Sequence, residues 1–164
     1  MNKLIIFMFS VFLLGSCSKE GCTDPLSINY NAEASEDDGS CLYSLVGSWD
    51  LVFWNSNGND YAQEVSEFTT HFYSDGTVVT YTLPLFWNSN NYANYRANWS
   101  LNESHTELSM FLTHYNYNNG FGWIETTDTN IFNVQITDST YSGTLISSTD
   151  TNRISLDYSY IRIE

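Results

Sequence analysis

The chain has few positive charges: five Lys and Arg stand against nineteen Asp and Glu, for a net charge of -14. A surface this negative repels phosphate backbones, so nucleic-acid partners are excluded. It also repels anionic headgroups, so any membrane attachment has to come from something other than a basic patch. Proline is scarce, at two residues, and cysteine is limited to Cys17, Cys22 and Cys41. The three histidines, His71, His105 and His114, show no paired metal-ligand spacing, and no Gly-x-Ser-x-Gly elbow exists. No sequence feature calls for a cofactor or a metal, and nothing singles out catalytic residues, so an enzyme is not expected. After the first sixteen residues no stretch carries a helical 3.6 period.

The start of the chain is organised differently. Lys3 precedes an almost wholly apolar run from Leu4 to Leu14, which is followed by Gly15-Ser16-Cys17. This is a charged head, a short apolar core and a small-residue cleavage site. The run is too short to span a bilayer, which takes about 20 residues. Leu14-Gly15-Ser16-Cys17 resembles the lipobox of bacterial lipoproteins. The resemblance implies that residues 1–16 are a cleaved signal and that Cys17 carries diacylglycerol and acyl chains such as palmitate. Several acyl chains hold a protein on a membrane without spanning it. The expected location is the cell envelope. Ser18 after the lipidated Cys looks like an outer-membrane sorting context, with the leaflet left open.

With Cys17 lipidated, Cys22 and Cys41 remain, and an exported chain would pair them in one disulfide. The segment 17–43 that holds them is acidic and rich in Asn, Ser and Ala. Its Cys22-Thr23-Asp24-Pro25, Asn29-Tyr30 and Asp37-Asp38-Gly39-Ser40-Cys41 are similar to small modules in surface and secreted proteins of Bacteroidota-like bacteria. The resemblance implies no activity. Asp24-Pro25 and Asp38-Gly39 favour turns. The acidic residues read mainly as a solvated spacer, with calcium ligation by Asp24, Asp37 and Asp38, together with Asn29 and Asn31, as the alternative. The module is expected to act as a stapled tether.

From residue 44 onward the pattern alternates with period two. Gly47, Trp49, Leu51 and Phe53 share one parity, as do Phe68, Thr70 and Phe72, and Tyr95, Ala97, Trp99 and Leu101. Leu108, Met110 and Leu112 follow, then Phe132, Val134 and Ile136, then Tyr141, Gly143 and Leu145, then Leu156, Tyr158 and Tyr160. The connections alternate between tight and long. Ser74-Asp75-Gly76, 102–105 and 137–140 are turn-like, whereas 55–63, 86–92 and 116–129 are long and polar. In an up-and-down meander the tight turns then gather at one end and the long loops at the other. The expected fold is an all-β, antiparallel barrel of about eight strands spanning 44–164. A small β-sandwich of the same strands, with Trp49 as an ordinary core residue, is the alternative.

Gly47-Ser48-Trp49 at the start of the first strand resembles the Gly-x-Trp signature of lipocalins and their relatives. The resemblance implies that Trp49 plugs the closed end with Arg162 packed across it. It supplies a fold more readily than a ligand.

Phe53-Trp54-Asn55-Ser56-Asn57 recurs letter for letter as Phe86-Trp87-Asn88-Ser89-Asn90, and Tyr115, Tyr117 and Trp123 flank a third Asn-rich loop. All three loops fall at the expected mouth. Aromatic faces stack on apolar ligand surfaces and Asn supplies donors and acceptors. Phe53, Trp54, Asn55, Phe86, Trp87, Asn88, Tyr115, Tyr117 and Trp123 are therefore the candidate binding residues for a small hydrophobic or glycan-like ligand. The competing expectation is a structural or interaction protein of the envelope. In that case Phe72, Trp99, Tyr158 and Tyr160 fill the barrel and leave no cavity.

Overall fold

The computed structural model describes residues 18–62, 65–84, 94–116, 122–151 and 155–163. The signal segment 1–16, Cys17, Phe86, Trp87, Asn88 and Tyr117 lie outside them. The chain divides into two compact units, one formed by the part up to Pro25 with Asn29–Cys41, the other by Leu26–Ile28 with Leu42–Glu164. Leu26–Ile28 groups with the second unit, where the Ile28 N–H donates to the Leu42 carbonyl at 2.7 Å.

In the first unit Cys22 and Cys41 form a disulfide. Around it the chain makes turns rather than a sheet. Asp37 Oδ1 accepts from the Gly39 N–H and Asp38 Oδ1 from the Ser40 N–H. These are the Asx turns that short acidic side chains favour, and the Ser40 hydrogen bonds hold the Asp38 carboxyl below its usual range.

The second unit is a closed antiparallel barrel of eight strands, the lipocalin-like up-and-down architecture. Its long strands are β1 (Gly47–Ser56), β3 (Val65–Phe72), β4 (Thr77–Pro84), β5 (Asn94–Leu101), β6 (Glu107–Asn116), β8 (Thr129–Ile136), β9 (Thr140–Ser148) and β10 (Leu156–Ile163). Two-residue strands β2 (Asn59–Asp60) and β7 (Ile124–Glu125) add short ribbons to β1 and β6. Each long strand pairs with the next in the chain, and β10 closes on β1, with Trp49 opposite Arg162. Closure removes the exposed edges that an open sheet would present.

The tight turns are built from local side chains. Asp75 Oδ1 accepts from the Thr77 N–H and hydroxyl at 2.9 and 2.7 Å, and Gly76 takes the left-handed φ of +83° that lets the strand reverse. Asn102 Oδ1 does the same for the N–H groups of Thr106 and Glu107.

The core follows the inward parities. Leu45, Trp49, Phe72, Val78, Leu108 and Phe132 are buried together, with Tyr141 and Tyr160 stacked at 4.6 Å beside them. Thr70 and Thr80 are fully buried cross-strand partners, hydroxyl to hydroxyl at 3.2 Å, and Thr70 reaches the Tyr160 hydroxyl at 3.5 Å. These three interior hydroxyls are thereby paired.

Candidate functional site

The two ends of the barrel differ. At the closed end Trp49 is wholly buried and its indole N–H donates to the Leu45 carbonyl at 2.8 Å. The Arg162 guanidinium lies 4.3 Å over its ring. The same guanidinium donates to the carbonyls of Asp138, Val46 and Ser44 at 2.7, 3.1 and 2.7 Å. Arg162 therefore ties the chain entering β1 to the turn between β8 and β9. Gly47 makes room for it. A Cβ there would stand 2.9 Å from Arg162 Nη1, and the backbone has φ +141°. Gly and Trp of the Gly-x-Trp signature thus serve one cation.

The open half is shaped by register shifts. Pairing slips between Leu51 and Phe53 in β1, between Val65 and Glu67 in β3, opposite Arg96 and Ala97 in β6, and opposite Ile131 and Phe132 in β9. All four lie toward the strand ends that carry the long connections. A bulge inserts one residue, so the side chains beyond it change face. In β1 Val52 and Phe53 turn outward, 50% and 41% exposed, and Trp54 turns inward opposite Tyr158. In β6 the shift brings Tyr115 inward after Leu112.

Beyond the packed layer the interior leaves a cavity of about 410 Å³. This lies within the range of pockets that hold small molecules. Its floor is Tyr141, Tyr158 and Tyr160; its apolar wall includes Leu51, Trp54, Phe68, Tyr95, Leu112 and Tyr115. Burial pushes the three floor phenols well above the usual tyrosine value, helped by their neighbouring rings. They are neutral hydrogen-bonding groups at physiological pH. The rest of the lining includes the polar residues Glu125, Thr126, Asp128, Asn130 and Asp150, with Glu125 on the short strand paired to β6 beside Tyr115. The barrel is therefore packed at one end and hollow at the other. Phe72 and Trp99 fill the closed half edge to face, as the plugged reading expected, but the filling stops at the tyrosine layer.

The candidate residues separate accordingly. Trp54 and Tyr115 line the cavity. Phe53, expected on the same face as Trp49 and Leu51, points outward because the bulge at Val52 reverses the parity. Asn55 is not among the residues lining the cavity; its Oδ1 accepts from the Gly58 N–H at 3.2 Å and closes the turn after β1. Trp123 is not among the lining residues and instead carries the Arg96 guanidinium 4.2 Å over its ring. Phe68, Tyr95, Glu125, Asp128 and Asn130 were missed as site residues. Asn130 offered a signal, being a polar residue on the inward parity of Phe132, Val134 and Ile136.

Two of the histidines make local hydrogen bonds. His71 Nδ1 meets Ser48 Oγ at 2.7 Å and His105 Nδ1 meets the Tyr43 carbonyl at 2.8 Å. Among the described residues no three His, Cys, Asp or Glu side chains converge as metal ligands. No family model matches this sequence, and no curated protein matches it either.

Proposed function

We propose that this chain is a lipid-anchored envelope lipoprotein whose barrel holds a small molecule with an apolar body, as a binding module and not an enzyme. The observation that carries the reading is the 410 Å³ cavity above the tyrosine floor, with Trp54, Phe68, Tyr95 and Tyr115 around it. Burying apolar ligand surface there contributes about 25 cal/mol per Å², and the tyrosines and Asn130 supply a few fixed polar contacts, the composition typical of small-molecule sites. The anchor is the acylated Cys17, which holds the chain on the outer membrane. The Gly47-Ser48-Trp49 start and late Arg162 support kinship with lipocalin-like domains.

Two experiments test the two halves. Native extraction from membranes followed by mass spectrometry should recover a bound small molecule from the wild type. Far less should come from a Leu112→Trp variant, whose indole fills the cavity. Equal recovery from both would place the ligand elsewhere. Metabolic labelling with a palmitate analogue should mark the protein and fail to mark Cys17→Ala; labelling of that variant would refute the anchor.

A further inference from the structure

The strands β8, β9, β10 and β1 carry a second concavity, of about 420 Å³, on their outer face. Phe53 pairs with Ser159, Ser159 with Ser142, and Ser142 with Gln135, so these four side chains make one row across the four strands. Asp157, Thr144 and Asn133 make the adjoining row on the same face. Both rows have the parity opposite to Trp54, Tyr141 and Phe132, which line the interior cavity. Ser142 and Ser159 are short and partly buried, whereas Phe53, Asn133 and Gln135 are longer and exposed. The serines therefore form a floor and the longer side chains a rim. Two observations give the concavity a chemistry. The register shift in β1 leaves the Phe53 ring facing outward at the end of the serine row, 41% exposed. The six polar side chains of the two rows make no hydrogen bond to another group among the described residues. Around the barrel, by contrast, Ser48 is tied to His71 and Thr69 donates to Asp50. Two primary amides, three hydroxyls and one carboxylate thus stand together beside an aromatic face, with donors and acceptors free for a ligand.

We propose that this outer concavity is a site for a neutral glycan, one hexose of which lies with its C–H face on Phe53 and its hydroxyls toward Asn133, Gln135 and Asp157. A pyranose has a face of weakly positive C–H groups, which packs on the negative face of an aromatic ring. Its edge carries hydroxyls that both donate and accept, and a primary amide answers both roles with its carbonyl and its NH₂. The Asp157 carboxylate accepts from hydroxyls more strongly than a neutral oxygen does. The volume suits a sugar unit. An acidic sugar instead meets Asp157 and a chain of net charge -14, with no Lys, Arg or His among the described lining residues to offset them. The site lies on the other face of the sheet from the interior cavity and does not rest on the binding reading above.

The test is binding of the purified, fluorescently labelled chain to an array of neutral hexose oligosaccharides, with uronic-acid and sulfated oligosaccharides beside them. The wild type should bind at least one neutral oligosaccharide, and bind it more tightly than any acidic one. In calorimetry with that oligosaccharide, Phe53→Ala should weaken binding at least about tenfold while its circular dichroism keeps the strand signal. Phe53→Tyr, which keeps a ring face, should stay within about threefold of the wild type. Leu112→Trp, which fills the interior cavity, should leave the affinity for the oligosaccharide unchanged. Binding lost in Leu112→Trp and kept in Phe53→Ala would move the glycan to the interior and overturn the outer site. An array on which no neutral oligosaccharide binds, or on which acidic ones bind best, would overturn it outright.

Discussion

Removing the guanidinium at the closed end should cost the barrel a measurable part of its stability. Arg162 donates to three backbone carbonyls on two different segments and covers the Trp49 ring. At this half-solvated position each bond to the cation is worth about 0.5–1 kcal/mol once water's competition is counted. The ring contact adds about 0.5–1 kcal/mol. Arg162→Ala should therefore destabilise by about 2–4 kcal/mol and lower the melting midpoint by on the order of 10 °C for a domain of this size. Arg162→Lys keeps the charge, but one compact ammonium cannot serve three separated carbonyls, so it should recover less than half the loss. Gly47→Ala attacks the same contact from the other side, by forcing a Cβ within 2.9 Å of Nη1 at a φ unsuited to alanine. Its steric part vanishes once Arg162 is gone. Chemical denaturation of both single variants and the double variant should thus give a coupling energy of at least about 0.5 kcal/mol. Strict additivity, together with a lysine variant as stable as wild type, would refute the argument.

Other perturbations follow from the same core. Trp49→Ala should destabilise by about 3–5 kcal/mol in urea titration; a negligible change would deny the plug. Tyr141, Tyr158 and Tyr160 have phenols raised by burial, so they are protonated in both states below about pH 10 and their contribution is fully present there. Above that, the unfolded chain ionises first, and stability should fall by up to about 1.4 kcal/mol per pH unit for each of them. Part of the phenolate absorbance of the twelve tyrosines should then rise in one step with loss of the strand signal in circular dichroism. Smooth ionisation of all of them without unfolding would contradict this. The Tyr158 hydroxyl is buried without a partner among the described residues, so Tyr158→Phe should be neutral or stabilising by up to about 1 kcal/mol. Gly143→Ala puts a Cβ 2.5 Å from that ring and should destabilise by about 1–3 kcal/mol. The opposite order of the two variants in thermal melts would refute the packing.

Strand identity, strand order and the closed end were legible in the sequence because they depend on quantities that local pattern carries. Inward parity from Phe132 to Ile136 or from Leu108 to Leu112 follows from alternation alone. Trp49 and Arg162 meet because a meander that closes must pair its last strand with its first. The disulfide followed from counting cysteines once export was expected. Loop alternation located the mouth, and with it Trp54 and Tyr115, although both were chosen for composition and not for the direction they face.

What alternation cannot carry is its own interruption. A bulge such as that at Val52 leaves no mark in the run Leu51-Val52-Phe53-Trp54, where all four residues are apolar and either parity satisfies the pattern. The extra residue exchanges Phe53 for Trp54 on the inner face. The exchange in β6 delivers Tyr115. Four such shifts around one end make the difference between a barrel packed throughout and one with room inside. Each turns the strand beyond it and increases its local twist. The polar lining escaped for the opposite reason: Asn130, Asp128 and Glu125 look like ordinary loop and strand-end residues until β6, β8 and β9 are paired around them. The cavity is thus a property of register more than of composition. Deleting Val52 takes out the extra residue and leaves Leu51 inward, Phe53 outward and Trp54 inward in regular alternation, so the barrel should stay folded and any cavity ligand should still quench Trp54 fluorescence. Loss of quenching in that deletion would show that Val52 is not the extra residue that sets the facing of Trp54.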